Sequence, residues 1–251
     1  MLSVRNVNKD FTLSGGVLGI RSGIVAALKG VSFDVRKGET FALIGESGSG
    51  KTTLARIIAR LTPPTSGEVL FEKIGMDSFR KDVQIIFQNP YASLNPRMRV
   101  GEIIAEPLMI NRLEKKVSLR DKVVSLLRLV EMPPETAERL PSQFSGGQRQ
   151  RICIARALAT SPKFLILDEP LSSLDLTIQA RMLDMLLALK ERLGMTYFFI
   201  THNLCLVKRV AGRVAVMKDG RVVEQGETAR VFSAPQHPYT KSLISAASGR
   251  T

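Results

Sequence analysis

Cysteine is scarce in this 251-residue chain: there are two, Cys153 and Cys205, far apart and in no CxxC spacing. Their scarcity excludes a disulfide framework and a cysteine zinc site, and it points to a reducing compartment, where both thiols are expected to serve as buried small apolar residues. Long apolar runs are missing as well. None approaches the roughly 18 residues that a bilayer span requires, and the opening "MLSVRNVNKDF" has no apolar signal core. The expectation is a chain that is neither secreted nor membrane-spanning by itself. Aromatic residues are 6%, which leaves little for stacked bases. Acid is short too, with 23 Asp and Glu against 36 Lys and Arg, a net charge of +13. The basic residues are spread along the chain rather than gathered in a tract. Nucleic acid, an anionic membrane surface and bound polyphosphate are therefore all compatible with that charge. No internal repeat, low-complexity tract or heptad run is present.

What the chain does have is 44% hydrophobic residues, enough for a proper core in one large domain or a domain with an inserted lobe. Apolar, β-branched segments at 31–35, 40–45, 83–87, 164–168, 196–201 and 213–217 alternate with helical stretches, which predicts an α/β fold with a largely parallel sheet. "VRNVNKDF" and "VSFDVRKG" near the start, and "RVVEQG" near the end, are expected as strands of a smaller antiparallel layer. The Gly-rich 13–23 stretch is expected as a surface loop. Between about 89 and 158 the β-branched strands disappear and helical periodicity takes over, which predicts a helical lobe inserted into the α/β core. Within it, 118–130 places Leu119, Val123, Leu126, Leu127 and Val130 on one face, with Ser118 and Asp121 as a capping box. The helix at 176–193 carries Leu176, Leu183, Leu186 and Leu187 as an ordinary core stripe.

"GESGSGKT" at 45–52 matches G-x-x-x-x-G-K-[ST] and stands between an apolar strand and a helical run, the context a phosphate-binding loop needs. Gly45, Gly48 and Gly50 let the backbone N–H groups of the loop, Glu46, Ser47 and Ser49 included, turn around phosphate at a helix N-terminus that continues into Thr53. Lys51 is placed for the β- and γ-phosphates and the Thr52 hydroxyl for Mg²⁺. "FLILDEP" at 164–170 is an apolar strand ending in two carboxylates. Asp168 suits the Mg²⁺ shell, and Glu169 is the candidate base that polarises an attacking water. Gln88 ends the strand at 83–87, where its amide could reach both Mg²⁺ and the water, although a lone Gln there is ordinarily a turn residue. His202 follows another apolar strand and could contact a γ-phosphate as a neutral imidazole. A second glycine pair, in "FSGGQRQR" at 144–151, lies about a hundred residues beyond the first loop. Ser145 there can cap a following helix, leaving free N–H groups and the positive end of a helix dipole.

In order and rough spacing, 45–52, Gln88, "SGGQRQR" at 145–151, 164–169, "SSLD" at 172–175 and His202 resemble the ABC-type ATPase domain over essentially the whole chain. The resemblance implies one such domain, with a core and antiparallel β layer at 1–88 and 159–251 and a helical subdomain at 89–158. It implies hydrolysis of Mg-ATP in a head-to-tail dimer, in which Ser145, Gly146, Gly147 and Gln148 serve the nucleotide held by the other subunit. Asp175 then reaches across the dimer, and Phe11 stacks on adenine; the alternative for Phe11 is a core residue at a strand end. "QNPYASLNPR" at 88–97 and "SAPQHPYTKSLISA" at 233–246 resemble the importer ATPases for oligopeptides, dipeptides and nickel or metal chelates. Longer members of that subgroup carry clustered cysteines in a tail, whereas no cysteine follows position 205 here, which leans toward the shorter nickel or metallophore type. The resemblance implies two membrane-spanning permease subunits and a second ATPase subunit, favoured as a different chain over a second copy. An extracytoplasmic substrate-binding protein acts indirectly, and the expected location is the cytoplasmic face of the inner membrane. Residues around Tyr91, Leu94 and Arg97 are expected near the surface that transmits motion to the permeases. Phe144, Ser173 and Asn203 stand where the family more often has Leu, Ala and Asp, and none of these removes a catalytic group. The alternative is a soluble ABC ATPase acting on nucleic acid or ribosomes, which the charge favours but the single ATPase core does not. A P-loop metabolic kinase would leave SGGQ and His202 without a role.

Overall fold

Period-2 alternation starts the chain. Strand β1 (Leu2–Thr12) buries Leu2, Val4 and Val7, and β2 (Ile24–Val35) buries Leu28, Val31, Phe33 and Val35. A computed structural model describes residues 1–12, 23–89, 93–113 and 118–248. The surface loop expected at 13–23 falls almost wholly outside the described residues. β1 pairs antiparallel with β2 on one side and with β4 (Ser66–Phe71) on the other. The alternation breaks at Asn6, where φ is +46 and the register with both neighbours shifts.

The chain divides into two compact units. One comprises Met1–Ile74 and Phe198–Thr251; the other is Gly75–Tyr197. In the first, β3 (Thr40–Ile44) is buried at every residue and runs parallel to β8 (Arg213–Lys218). A strand buried on both faces reads as a continuous apolar run, which is why "TFALI" shows no alternation. The rings of Phe33, Phe41 and Phe198 stack, with centroids 5.1 to 6.1 Å apart. Helix α1 (Lys51–Ile58) follows β3 directly, and α7 (Leu204–Val210) follows β7 (Thr196–Ile200), the strand on which the chain passes from the second unit to the first. β9 (Arg221–Glu227) pairs antiparallel with β8 and so is not part of the β2-β1-β4 layer, where the sequence suggested it. A two-residue Asp219–Gly220 turn, with φ positive at both, returns the chain straight onto β8 and settles that pairing. Short α8 (Thr228–Ser233) and terminal α9 (Pro238–Ser248) complete this unit.

In the second unit, short α2 (Phe79–Asp82) leads into β5 (Val83–Ile86), which pairs in parallel with β6 (Phe164–Asp168), Ile86 opposite Leu167. Buried Asp82 receives Lys163 at 3.0 Å. Helices α3 (Val100–Ile110), α4 (Leu119–Leu129) and α5 (Gly146–Leu158) pack on one another through the expected apolar faces, Val123, Leu126, Leu127 and Val130 among them. Arg151 of α5 donates to the Val130 carbonyl and to Glu131 just beyond α4, clamping the two helices. Ser118 is the N-cap of α4, but its backbone is itself helical (φ −92, ψ −7) and its side chain makes no cap bond, so the expected capping box is not formed. The long α6 (Leu176–Leu193) buries Leu183 and Leu186 and half-buries Leu187, whereas Leu176 is 79% exposed: it is the first helical residue and overhangs the packed face. The fold class is that expected, α/β with mostly parallel pairing in the strands that carry the nucleotide motifs, a small antiparallel sheet and a set of helices.

Candidate functional site

The loop after β3 takes its shape from its glycines. Gly48 and Gly50 have φ of +83 and +105. A Cβ on Gly45 would lie 2.2 Å from the Met217 carbonyl oxygen, and one on Gly50 would lie 2.6 Å from the Ala27 carbonyl oxygen. Glycine is needed here because other backbone passes too close for a side chain. The Ser49 carbonyl accepts from Gly220 N–H, tying the loop to the β8–β9 turn. Gly50 is the N-cap of α1, in left-handed conformation, and no acidic residue stands in the first turn, so the helix end is electropositive. Lys51 is buried, and its ammonium donates to the carbonyls of Gly45 and Glu46, each at 2.8 Å. Glu46, Ser47, Gly48 and Thr52 are exposed on the loop's rim, and Thr53 is half-buried.

Two more expected residues belong to this unit. His202 is exposed just past β7, where Thr201 N–H donates to the Leu43 carbonyl of β3. Asn203 caps α7, its side-chain oxygen accepting from the N–H groups of Cys205 and Leu206. An amide oxygen does this as well as a carboxylate, which accounts for Asn at a position where Asp is commoner. Phe11 is 42% exposed on β1 with the Lys9 ammonium 5.1 Å from its ring centroid, so it is not the buried strand-end residue of the alternative reading.

In the second unit β5 and β6 end side by side. Asp168 is buried at the end of β6, and Glu169 follows with φ +50, a left-handed conformation that costs a non-glycine residue energy. The turn is held by Ser172, whose hydroxyl donates to the Glu169 carbonyl at 3.0 Å. Gln88 Nε2 donates to Glu169 Oε2 at 3.4 Å. The structure thus brings Gln88 and Glu169 together, and because the amide nitrogen makes that bond, Gln88 Oε1 keeps its own capacity to accept.

The second glycine pair opens α5. Ser145 is its N-cap: Gln148 N–H donates to the Ser145 hydroxyl while the Gln148 side chain accepts from Ser145 N–H at 3.0 Å, a reciprocal capping box. Ser145 and Gln148 are exposed, Gly146 is half-buried, and a Cβ on buried Gly147 would meet Ile178 Cγ2 at 3.0 Å. Asp175 caps α6, accepting from Ile178 N–H at 2.9 Å. Gln179, which no local pattern singled out, donates to the carbonyls of both Leu171 and Leu174 and so fixes the turn between Glu169 and Asp175.

Other expectations divide. Of the two cysteines, Cys153 is buried as expected, whereas Cys205 is exposed on α7. Leu94 is buried and Arg97 is exposed, while Tyr91 lies outside the described residues. Phe144, ahead of Ser145, is buried under the Arg139 guanidinium, 4.8 Å from its ring.

The family profile described as "ABC transporter" matches residues 28–172. The chain is 46% identical over 230 residues to "Dipeptide transport ATP-binding protein DppF" of Haemophilus influenzae, covering 88% of this chain and 70% of that one. It is 45% identical over 254 residues to "Glutathione import ATP-binding protein GsiA" of Escherichia coli K12, covering 98% of this chain but 41% of that protein, so it spans less than half the length of this relative. Among solved structures, the ATP-binding cassette MJ0796 bound to ADP and Pi superposes with TM-score 0.78 at 30% identity, over 91% of this chain and 99% of that one. CbiO1 of Clostridium perfringens, "part of the ABC transporter complex cbiONQ", gives 0.76 at 28% identity, over 99% and 94%.

Proposed function

The chain belongs to the ABC transporter family of ATP-hydrolysing subunits, and on that premise we propose that it powers uptake of small peptides as the ATPase of an importer. The observation that carries the catalytic half of this reading is the Gln88–Glu169 contact, a candidate base held by a neighbouring strand end beside buried Asp168. The cargo class rests on the similarity to the dipeptide and glutathione relatives. Nickel or metal chelates are the competing cargo.

In the mechanism we propose, the P-loop amides that follow Glu46, those of 47–53, wrap the phosphates and Lys51 exchanges its carbonyl partners for phosphate oxygens. Glu169 takes up the proton of the attacking water, His202 donates to the γ-phosphate, and Phe11 covers the adenine. The Thr52 hydroxyl, Gln88 Oε1 and the Asp168 carboxylate are oxygen donors of the kind a hard cation takes, and they would hold Mg²⁺. When bound, that ion neutralises charge on the β- and γ-phosphates. The capped N-terminus at Ser145, with Gly146, Gly147 and Gln148, completes the phosphate site of a partner ATPase, and Asp175 reaches across the same interface. ATP then joins the dimer and hydrolysis releases it. Residues 1–88 and 159–251 form the core with its antiparallel layer in this reading, and 89–158 the helical subdomain.

The partners are two membrane-spanning permeases, a second ATPase that is a different chain rather than a second copy, and indirectly a substrate-binding protein. The place is the cytoplasmic face of the membrane. Among the described residues no helix is long and apolar enough to cross it.

The test is purification of this chain with its membrane partners, reconstitution in lipid, and ATPase measurement with dipeptides, glutathione or nickel chelates presented with the cognate binding protein. Stimulation by peptides supports the proposal. Stimulation by metal chelates alone overturns the cargo, and retention of DNA or RNA at physiological salt in place of membrane proteins overturns the importer reading.

A further inference from the structure

The "HPYT" stretch meets the phosphate-binding loop directly. Glu46 N–H donates to the Tyr239 hydroxyl at 3.1 Å, a bond between residues 193 apart in sequence. That N–H belongs to the peptide joining Gly45 to Glu46, and the carbonyl of the same peptide, Gly45 O, accepts from Lys51 Nζ at 2.8 Å. One peptide plane is therefore held on both edges: by the P-loop lysine on its oxygen and by Tyr239 on its nitrogen. A peptide is planar, so fixing its N–H fixes the direction of its C=O. Of the loop amides expected around phosphate, the Glu46 N–H is thus one that this structure gives to a side chain instead.

Tyr239 is well placed to act as a fixed point. It is buried in the cluster that includes Ala42, Ile44, Val214 and Val216, the strands under the loop. Burial, with the carboxylates of Glu46 and Asp219 nearby, raises its pKa above the usual phenol value and keeps it a neutral hydroxyl. The Lys218 ammonium lies 4.8 Å from its ring centroid. The turn before it is latched to β9: the Glu224 carboxylate accepts from Gln236 N–H and His237 N–H at 2.9 and 3.0 Å, and Tyr239 N–H donates to His237 Nδ1 at 3.1 Å. Although burial opposes it, the Thr240 side chain, these amide donors and the neighbouring His237 hold the Glu224 carboxyl below its ordinary value. A continuous set of bonds thus runs from β9 through the 236–239 turn to the peptide that seats Lys51.

We propose that Tyr239 is a positioning residue for nucleotide binding: through the Gly45–Glu46 peptide it sets the resting place of Lys51 and the rim of the loop, and Glu224 is the latch that holds Tyr239 there. The inference rests on the reading that this loop binds ATP.

Tyr239→Phe removes the acceptor oxygen and keeps the ring. In the purified transporter complex, the expected result is a KM for ATP raised about fivefold, the scale of one lost hydrogen bond, with kcat within about twofold. Hydrogen exchange at the Glu46 amide should become faster. Glu224→Gln, which weakens the latch without touching the ring, should shift KM in the same direction by less. An unchanged KM together with unchanged Glu46 exchange in Tyr239→Phe overturns the proposal, as does a loss confined to kcat. Lys51→Ala separates the two readings: if it leaves the KM for ATP as in wild type, the nucleotide site itself is misassigned, whereas loss of binding in Lys51→Ala with no effect of Tyr239→Phe rejects only the role of Tyr239.

Discussion

Gln88 and Glu169 stand at the ends of two strands paired in parallel register, and the amide of the first donates to the carboxylate of the second at 3.4 Å. Parallel strands end at the same edge of their sheet, so a separation of 81 positions in sequence does not part these side chains. The left-handed backbone at Glu169 turns its carboxylate off the line of β6, and Ser172 holds that turn from behind.

Glu169→Gln replaces the base by an amide of the same shape. Turnover should fall by about two to four orders of magnitude, while ATP still binds. With hydrolysis blocked at this site, MgATP should hold this chain and its partner ATPase in a lasting dimer, visible as their joint, earlier elution in size-exclusion chromatography. Turnover near the wild-type rate would show that another group activates the water.

Gly45→Ala and Gly48→Ala test different demands on the same loop. At Gly45 a methyl group would press on the Met217 carbonyl at 2.2 Å, backbone that cannot step aside. The expected cost is about 2–3 kcal/mol, in line with overpacking elsewhere, with loss of nucleotide affinity. At Gly48 nothing lies within 4 Å of the added carbon and only the positive φ is penalised, at about 1–2 kcal/mol. Urea unfolding of both variants measures the difference.

Strands whose burial is complete, β3, β6 and β7, were legible in the sequence because a short unbroken apolar run between turn residues is the pattern that burial on both faces imposes. β4 escaped notice: it is an exposed edge strand whose "SGEVLF" has no buried alternation. β9 was legible as a strand but not its neighbour, since hydropathy says how a segment is buried and not what it pairs with. Leu176 fitted the helical stripe by count, yet a stripe has ends and the first helical turn of α6 lies past its core. At the site, Lys51, Asp168 and Ser145 could be named from spacing because each sits at a fixed offset from a local element. Gln179 and Tyr239 could not, because each acts through a carbonyl or an amide that any residue supplies.

The two cysteines should differ in reactivity. Burial pushes the Cys153 thiol up to about 11, against the small opposing pull of Arg156, whereas Cys205 is exposed. At pH 8 a thiol reagent should label one site per folded chain quickly and a second only after unfolding. Because the folded pKa of Cys153 lies above its ordinary value of 9.0, its contribution to stability is full below pH 9 and is lost as pH climbs towards 11. A Cys205→Ser variant should be nearly inert to the reagent at pH 8. Rapid labelling of Cys153 in that variant would contradict its burial.

Asp175 is expected to do two things, and substitution can separate them. Its Oδ1 caps α6 through Ile178 N–H, so Asp175→Ala should cost about 1 kcal/mol of stability. Asn caps as well as Asp, so Asp175→Asn should leave thermal unfolding unchanged. The charge matters only if Asp175 also meets a partner ATPase. Reduced ATP-dependent dimer formation in Asp175→Asn at wild-type stability would therefore assign the carboxylate to the interface; unchanged dimer formation and turnover would leave Asp175 as a helix cap alone.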